Sequence, residues 1–287
     1  MVDYSKKKTS KIPGHYISVF ENISDLTKFL QKPRKPERNS SSESTSNGSW
    51  SGTRTYKEAF DKLKYADEEL FKTIKKEKSK INIDKILGNI SNRVKYEKRP
   101  YGAIPNVPAV LIGNPINMIN PEKTRLSHRI LNIALDMGVC AGVSEDDIIK
   151  IGILYLTVID LLEKKGYRCN LYAITSSRYY EEYYLYMMTR VKTDKEPLNL
   201  KKICFPIVNP AYLRRIYFRW CEVFDYPEDI TNCSYGRDVS KDKVKKDLKK
   251  ILKQDFIIWS YNDGNGGSKT IEDIIANLED QGIKIYD

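Results

Sequence analysis

The chain has 287 residues, 40% of them hydrophobic and 30% charged, with a formal net charge of +11. That is enough apolar material for a real core, and it excludes the disordered and collagen-like classes. Five scattered cysteines without a Cys-x-x-Cys pair, beside only two histidines, argue against a zinc centre and for reduced thiols packed in a core.

The segment up to Gly14 is charged and lacks the apolar stretch of a secretion signal. Residues 1–31 read as a basic arm with a short helix, capped by Ser24 and striped by Leu26, Phe29 and Leu30. Residues 32–49 join Lys/Arg-flanked prolines to a serine-rich run with almost nothing to bury, the composition of a flexible linker. Thr55-Tyr56-Lys57-Glu58 has the form of a capping box, in which the threonine hydroxyl and the glutamate carboxylate each take the other's backbone N–H. The helix it opens presents Ala59, Phe60 and Leu63 to a core. The next helical stretch, 67–80, is strongly charged and reads as exposed.

Tyr101 to Asn120 sets three prolines and two glycines among apolar residues, which predicts irregular extended chain rather than a helix. Val107, Val110, Leu111, Ile112 and Ile116 are many apolar side chains for one loop, so residues 50–124 are expected to pack on the main domain.

From about residue 125 to the end the pattern is α/β. Arg129 to Leu135 is a β-type run. Ser144 caps a helix with Asp146 and Asp147 in its first turn, where the helix dipole favours negative charge. That helix is apolar nearly all round to Leu162 and stops at Gly166. Its apolar stretch contains Lys150 and Asp160 and falls short of the roughly 20 residues a bilayer requires, so no membrane is expected as a partner. Tyr167 to Ile174 is a second strand. The order strand, buried helix, strand is a βαβ unit, which predicts a mainly parallel central sheet flanked by helices. Further elements are a strand at Leu185 to Lys192, a helix from Asn209-Pro210, a lysine-rich helix and a strand Phe256 to Ser260. A helix Ile271 to Leu278 and a strand Ile283 to Tyr286 close the chain.

Asp136 to Cys140, the long helix to Gly166, F-I-I-W-S-Y-N running to Asp263-Gly264, and Gly282-Ile283 follow one another as in a von Willebrand factor A-like domain, which the C-terminal part resembles. The resemblance implies a Rossmann-like sheet and, at its strand ends, a divalent-cation site. Where the family's first loop carries serines, this chain has Gly138 and Cys140, so the site is degenerate. Asp136, Asp263 and Thr175 are the residues left to hold Mg²⁺, which takes hard oxygen ligands; otherwise no cofactor is implied. W-S-G-T with its helix, I-P-N-V-P-A-V-L-I-G-N-P-I-N-M, E-P-L-N-L and N-P-A-Y-L-R-R-I-Y-F resemble a group of bacteriophage proteins of uncharacterised function. That second resemblance implies a product of the bacterial host cytoplasm, with association with the virion left open.

No nucleophile elbow, Walker loop or H-E-x-x-H motif is present. The run Gly264 to Thr270 ends in G-S-K-T, but Ser268 interrupts the Gly-Lys-Thr triplet of a phosphate loop, so a plain turn is the simpler reading. Tyr179, Tyr180, Tyr183 and Tyr184 with Arg214, Arg215 and Arg219 are the residue types that dominate binding surfaces, and they are the candidate partner-binding set. Arg215, Arg219 and Glu222 also fit an ion-pair row along one helix. The function expected from these residues is a non-enzymatic protein-interaction module. The alternative is a basic nucleic-acid-binding protein, resting on the charge, the lysine helix and the tyrosine run.

Overall fold

The computed structural model describes residues 1–3, 14–35, 40–45, 48–81, 95–122, 129–180, 182–225, 235–261, 270–280 and 283. The chain forms two compact units: Met1–Ile81 with Ile130–Asp287, and Asn82–Arg129. In chain order the elements begin β1 (Val2–Asp3), β2 (Gly14–Phe20), α1 (Ile23–Leu30), α2 (Tyr56–Tyr65) and α3 (Glu68–Lys80). The smaller unit contributes β3 (Lys95–Arg99), β4 (Ile104–Pro105), α4 (Val107–Leu111) and β5 (Met118–Glu122). Next come β6 (Ile130–Asp136), α5 (Glu145–Lys164), β7 (Arg168–Tyr179), β8 (Tyr183–Lys192) and α6 (Leu200–Val208). A π-helical stretch, Tyr212–Tyr217, runs into α7 (Phe218–Val223), and α8 (Lys241–Leu252), β9 (Ile257–Ser260) and α9 (Ile271–Glu279) complete the order.

The larger unit is an α/β structure around a mixed six-stranded sheet, ordered β1-β2-β8-β7-β6-β9. Its centre is the βαβ unit: β6 and β7 pair in parallel from Ile130↔Arg168 to Asp136↔Ile174, with α5 as the crossover. Ser144 accepts from the Asp147 amide to start α5, and Gly166, at φ 90°, follows its end. On the other side of β6, β9 is also parallel. The sheet is nevertheless mixed rather than mainly parallel. A tight turn through Tyr180, in the left-handed region at φ 52°, returns β7 antiparallel into β8. Alternation along the strands gives the sheet two apolar faces. Ile17, Ala134, Ile174, Tyr186, Met188 and Ile258 meet Val244 and Leu248 of α8 on one face. On the other, Tyr155 of α5 stacks on Trp259 of β9 with ring centroids 5.0 Å apart. Helices on both faces are what a sheet with buried strands requires.

The N-terminal region differs from the sequence reading. Residues 14–20 are not an arm: β2 is a sheet strand, parallel to β8 from Gly14↔Tyr183 to Phe20↔Thr189. Asn22 rather than Ser24 caps α1, accepting from the Asp25 amide at 2.9 Å. Ser41–Glu43, read as linker, is a turn of 3₁₀-helix with Ser42 fully buried. The capping box at Thr55 is shifted: its hydroxyl takes the Glu58 amide, but the Glu58 carboxylate takes the amide of Arg54. Helix α3 is charged, yet it buries Leu70 and Ile74. Helix α6, with Pro206 inside it, stands where no helix was read. The closing strand lies outside the described residues except for Ile283, which is buried.

The smaller unit contains a three-stranded antiparallel sheet, ordered β3-β5-β4. Asn120 ties the turn between β3 and β4, donating to the Tyr101 carbonyl and accepting from the Ala103 amide, both at 3.0 Å. The apolar segment 101–120 therefore belongs to this unit's own sheet and carries the short helix α4, which has Pro108 in its first turn.

Gly152 sets the approach of α5 to α6, because a Cβ there would sit 3.0 Å from the Val208 Cα and Cγ2. Gly152→Leu should destabilise the larger unit by about 2–3 kcal/mol in chemical denaturation. Gly142→Leu, at a position with open space around it, should leave the midpoint where it is.

Candidate functional site

In open α/β sheets ligands gather at the carboxyl ends of strands, where the strand order reverses. Here that point lies between β6 and β9. Asp136 ends β6 with a completely buried side chain: one oxygen accepts from the Gly138 amide at 3.0 Å, the other from the Ser176 hydroxyl at 2.7 Å. Of the residues singled out to hold Mg²⁺, Thr175 cannot join Asp136. Strand alternation puts Ser176 on the Asp136 side of the sheet and Thr175 on the opposite face. Asp263, like the whole run 262–269, lies outside the described residues. Among the described residues there is no group of three or more His, Cys, Asp or Glu side chains that could hold a metal ion. Gly138 is also sterically fixed, since a Cβ there would lie 2.8 Å from the Ser176 carbonyl oxygen.

A second polar group lies on the same face, under α8. Asp247, 4% exposed, accepts from Tyr186 at 2.6 Å and from Lys243 at 2.7 Å, and it lies 3.3 Å from His15 Nε2. Burial opposes its charge, but the hydrogen bonds from His15, Lys243 and Tyr186 outweigh burial and hold its carboxyl at about 2. Burial, reinforced by that carboxylate, pushes the Tyr186 phenol far up. The His15 ring stacks on Tyr184, and Lys243 Nζ stands 4.3 Å from the centre of the Tyr184 ring. A cleft of about 580 Å³ opens beside this group, lined by Arg178, Tyr184, Lys241 and Lys243 as well as Asp238 and Asp242. His15, one of the two histidines, was not read as a site residue because the segment around it reads as an arm, not as a strand.

The arginines singled out as partner-binding are largely internal. Arg214 and Arg215 are each 1% exposed. Arg214 donates to the carbonyls of Trp50 and Val143 and stacks on the Trp50 ring; burial lowers its guanidinium to about 10, against the opposing charge of Glu145. Arg215 donates to the carbonyls of Ser42, Ser44, Thr53 and Arg54 and to the Ser51 hydroxyl. Arg219 holds the Leu30 and Lys32 carbonyls and Glu43, and lies 3.7 Å from Glu222, the ion pair that helical spacing anticipates. Glu222 in turn accepts from the amide and hydroxyl of Ser42 and from Tyr235. The tyrosines divide: Tyr179 and Tyr183 are buried, Tyr184 is half-buried, and Tyr180 is 72% exposed. Cys169, Cys204 and Cys221 are buried free thiols, with burial raising the first two to about 12, while Cys140 is exposed.

The smaller unit carries the other unusual surface. Ile104, Val107, Val110, Leu111, Ile112 and Ile116 are all exposed, Leu111 and Ile112 by 79% each. Among the described residues no helix is long and apolar enough to cross a membrane.

These features define an α/β protein with a mixed sheet, a closed polar cluster at its strand ends and a separate unit with an apolar surface. The chain belongs to the family described as Domain of unknown function (DUF7192), whose family model matches residues 5–284. No curated protein and no solved structure matches it.

Two outcomes test the geometry. Asp247→Asn should destabilise the fold by about 2–3 kcal/mol at neutral pH. It should also remove part of the acid sensitivity: a carboxyl lowered from 3.8 to about 2 stabilises the fold above pH 3.8 and loses that contribution as pH falls towards 2. Denaturation curves between pH 2 and 7 read both effects. Arg215→Met, which takes a donor from four carbonyls, of which Thr53 keeps the Ser51 hydroxyl, should cost roughly 3–5 kcal/mol. It should also expose the chain around residues 42–54 to early proteolysis.

Proposed function

We propose that this is a non-enzymatic protein-interaction module that docks a protein partner on the apolar surface of residues 104–116. The observation that carries this reading is the concentration of exposed Ile104, Val107, Val110, Leu111, Ile112 and Ile116 in one short stretch. Isolated apolar side chains are normal on surfaces, but contiguous ones mark binding sites, since covering each contributes about 1.5–3 kcal/mol. A one-turn helix flanked by short strands displays them on a backbone tied by Asn120, so little ordering cost remains at binding.

The larger unit is, in this reading, a von Willebrand A-like support whose metal loop is degenerate. Support comes from the order β8-β7-β6-β9 with β8 antiparallel, from the β6–α5–β7 crossover, and from Asp136 at the end of the first strand of that unit. Its carboxylate is already bonded to Gly138 and Ser176, which suits a structural rather than a cation-binding role. The resemblance to bacteriophage proteins makes a bacterial cytoplasm the place to seek the partner. Of the features behind the nucleic-acid alternative, Tyr179 and Tyr183 of the tyrosine run are buried, whereas the lysine helix keeps Lys245, Lys246, Lys249 and Lys250 exposed.

The test is affinity capture by the full chain from bacterial lysate, run beside Leu111→Asp/Ile112→Asp. The expected result is one stoichiometric protein partner that the double variant loses at least about 100-fold, with the unfolding midpoint unchanged. Recovery of nucleic acid alone, or capture indifferent to the double variant, would overturn the reading.

A further inference from the structure

Helix α8 sorts its residues onto two sides. Val244 and Leu248, both 0% exposed, fix it to the sheet, while Lys245, Lys246, Lys249 and Lys250 stand exposed on the outer side, followed by exposed Lys253. A helical period puts the first four in two neighbouring rows, Lys245 with Lys249 and Lys246 with Lys250. The members of a row lie about 6 Å apart along the axis. More than apolar contact holds the helix in that orientation: Asp247 accepts from Tyr186 and Lys243 and lies 3.3 Å from His15. The acid that stands among the lysines in sequence is thus turned inward, and of the acids of α8 only Asp242 shares the outer side.

Little offsets the charge of that side. Lys249 reaches Asp255 at 2.7 Å, but the two side chains are 65% and 77% exposed, and such pairs are weak and exchange for another anion. Lys245, Lys246 and Lys250 make no ion pair among the described residues. Lys249 and Lys250 stand in the last turn, where the helix dipole favours a cation; Lys245 and Lys246 lie further from that end and gain little from it. Along both rows, like charges at i and i+4 repel. The rows form a strip on a convex helix, not a pocket, so the anion that matches them is a line of charges rather than a single ion.

We infer that the outer side of α8 binds double-stranded nucleic acid through its phosphates, without reading sequence. A duplex carries closely spaced negative charges along its length, the complement of two lysine rows on a firmly seated helix. The helix has no arginine, asparagine or glutamine to pair with base edges, so its contacts position a duplex and do not select bases. A single strand fits less well, because it is held by stacking on aromatic rings as well as by charge. Tyr184, the ring beside Lys243, is already stacked on His15. A lipid surface fits less well again: a helix lying on a bilayer sinks its apolar side into it, and here Val244 and Leu248 are inside the core. The inference is independent of the docking of a protein on residues 104–116.

The experiment is fluorescence anisotropy of labelled duplex DNA titrated with the full chain at several salt concentrations. Duplex RNA, single-stranded DNA of equal length and phosphatidylserine vesicles serve as competitors. Duplexes of unrelated sequence should bind equally, and log affinity should fall against log salt with a slope of about −3 to −4, as four phosphate contacts require. Lys245→Gln/Lys246→Gln/Lys249→Gln/Lys250→Gln should weaken binding by at least about tenfold and flatten that slope by about 3, with the unfolding midpoint unchanged. Lys72→Gln/Lys75→Gln/Lys76→Gln/Lys80→Gln, which removes the same charge from exposed positions of α3, should bind as the native chain does. Asp255→Asn, which releases Lys249, should tighten binding and so tests the same side without removing a lysine. The inference is overturned if duplexes fail to bind at low salt. It is equally overturned if the α3 variant loses as much affinity as the α8 variant, which would mark attraction to net charge alone, or if single-stranded DNA or vesicles bind more tightly than the duplex.

Discussion

A buried guanidinium must find acceptors for its donors, and Arg215 finds them in the segment between Ser42 and Arg54. Arg214 does the same one residue earlier, with Trp50 and Val143. Neutral carbonyls do not cancel the positive charge, but they replace the water lost on burial; a bare buried cation would be far costlier. Removing either arginine would strand several acceptors together, so the segment and the helix that carries it are stable only as a pair. Arg219 and Glu222 extend the same clasp to Leu30, Lys32 and Ser42. The N-terminal chain is thereby fixed to the body, and β2 can take its place beside β8.

That clasp explains why part of the fold was legible and part was not. The β6–α5–β7 unit could be read because its signals agree: a β-type run, a serine cap, acids in the first turn, a long apolar helix and a stopping glycine. The arginines were misread because sequence gives charge and spacing but not burial. An α-helical period puts Arg215 and Arg219 on a solvent face, whereas the stretch Tyr212–Tyr217 is π-helical and turns Arg214 and Arg215 inward. The serine-rich run 40–45 looked like linker because it buries little apolar surface; what it buries is backbone hydrogen bonding, which composition does not record. Pro206 concealed α6 for a similar reason, since a proline inside a helix is tolerated where packing outweighs the lost N–H.

The strand-end site shows a subtler limit. Asp136 was located correctly at the end of its strand, but its partner is Ser176, one residue beyond the threonine singled out. Period-two alternation decides that point, and it requires knowing which residue of β7 stands level with Asp136. The register Asp136↔Ile174 supplies it. Gly138 closes the loop so tightly that a side chain would meet the Ser176 carbonyl. The absence of serine at 138 therefore follows from lack of space, and the backbone N–H of Gly138 already bonds one oxygen of the Asp136 carboxylate.

The exposed apolar residues and the exposed cations of this chain would attract partners by different physics. The exposed apolar residues between Ile104 and Ile116 carry no charge, so attraction there scales with apolar area and responds little to salt. The exposed lysine face of α8 is cationic, so attraction there is electrostatic and weakens as ions screen it. A net charge of +11 strengthens the second and does nothing for the first. The high charge that first suggested nucleic acid is thus better understood residue by residue. Arg214 and Arg215 donate to carbonyls inside the fold and Lys192 is locked to Glu163, whereas Lys245, Lys246, Lys249 and Lys250 of α8 are exposed. What a basic chain can bind depends on that last fraction, because only cations with weak partners of their own can exchange them for a ligand.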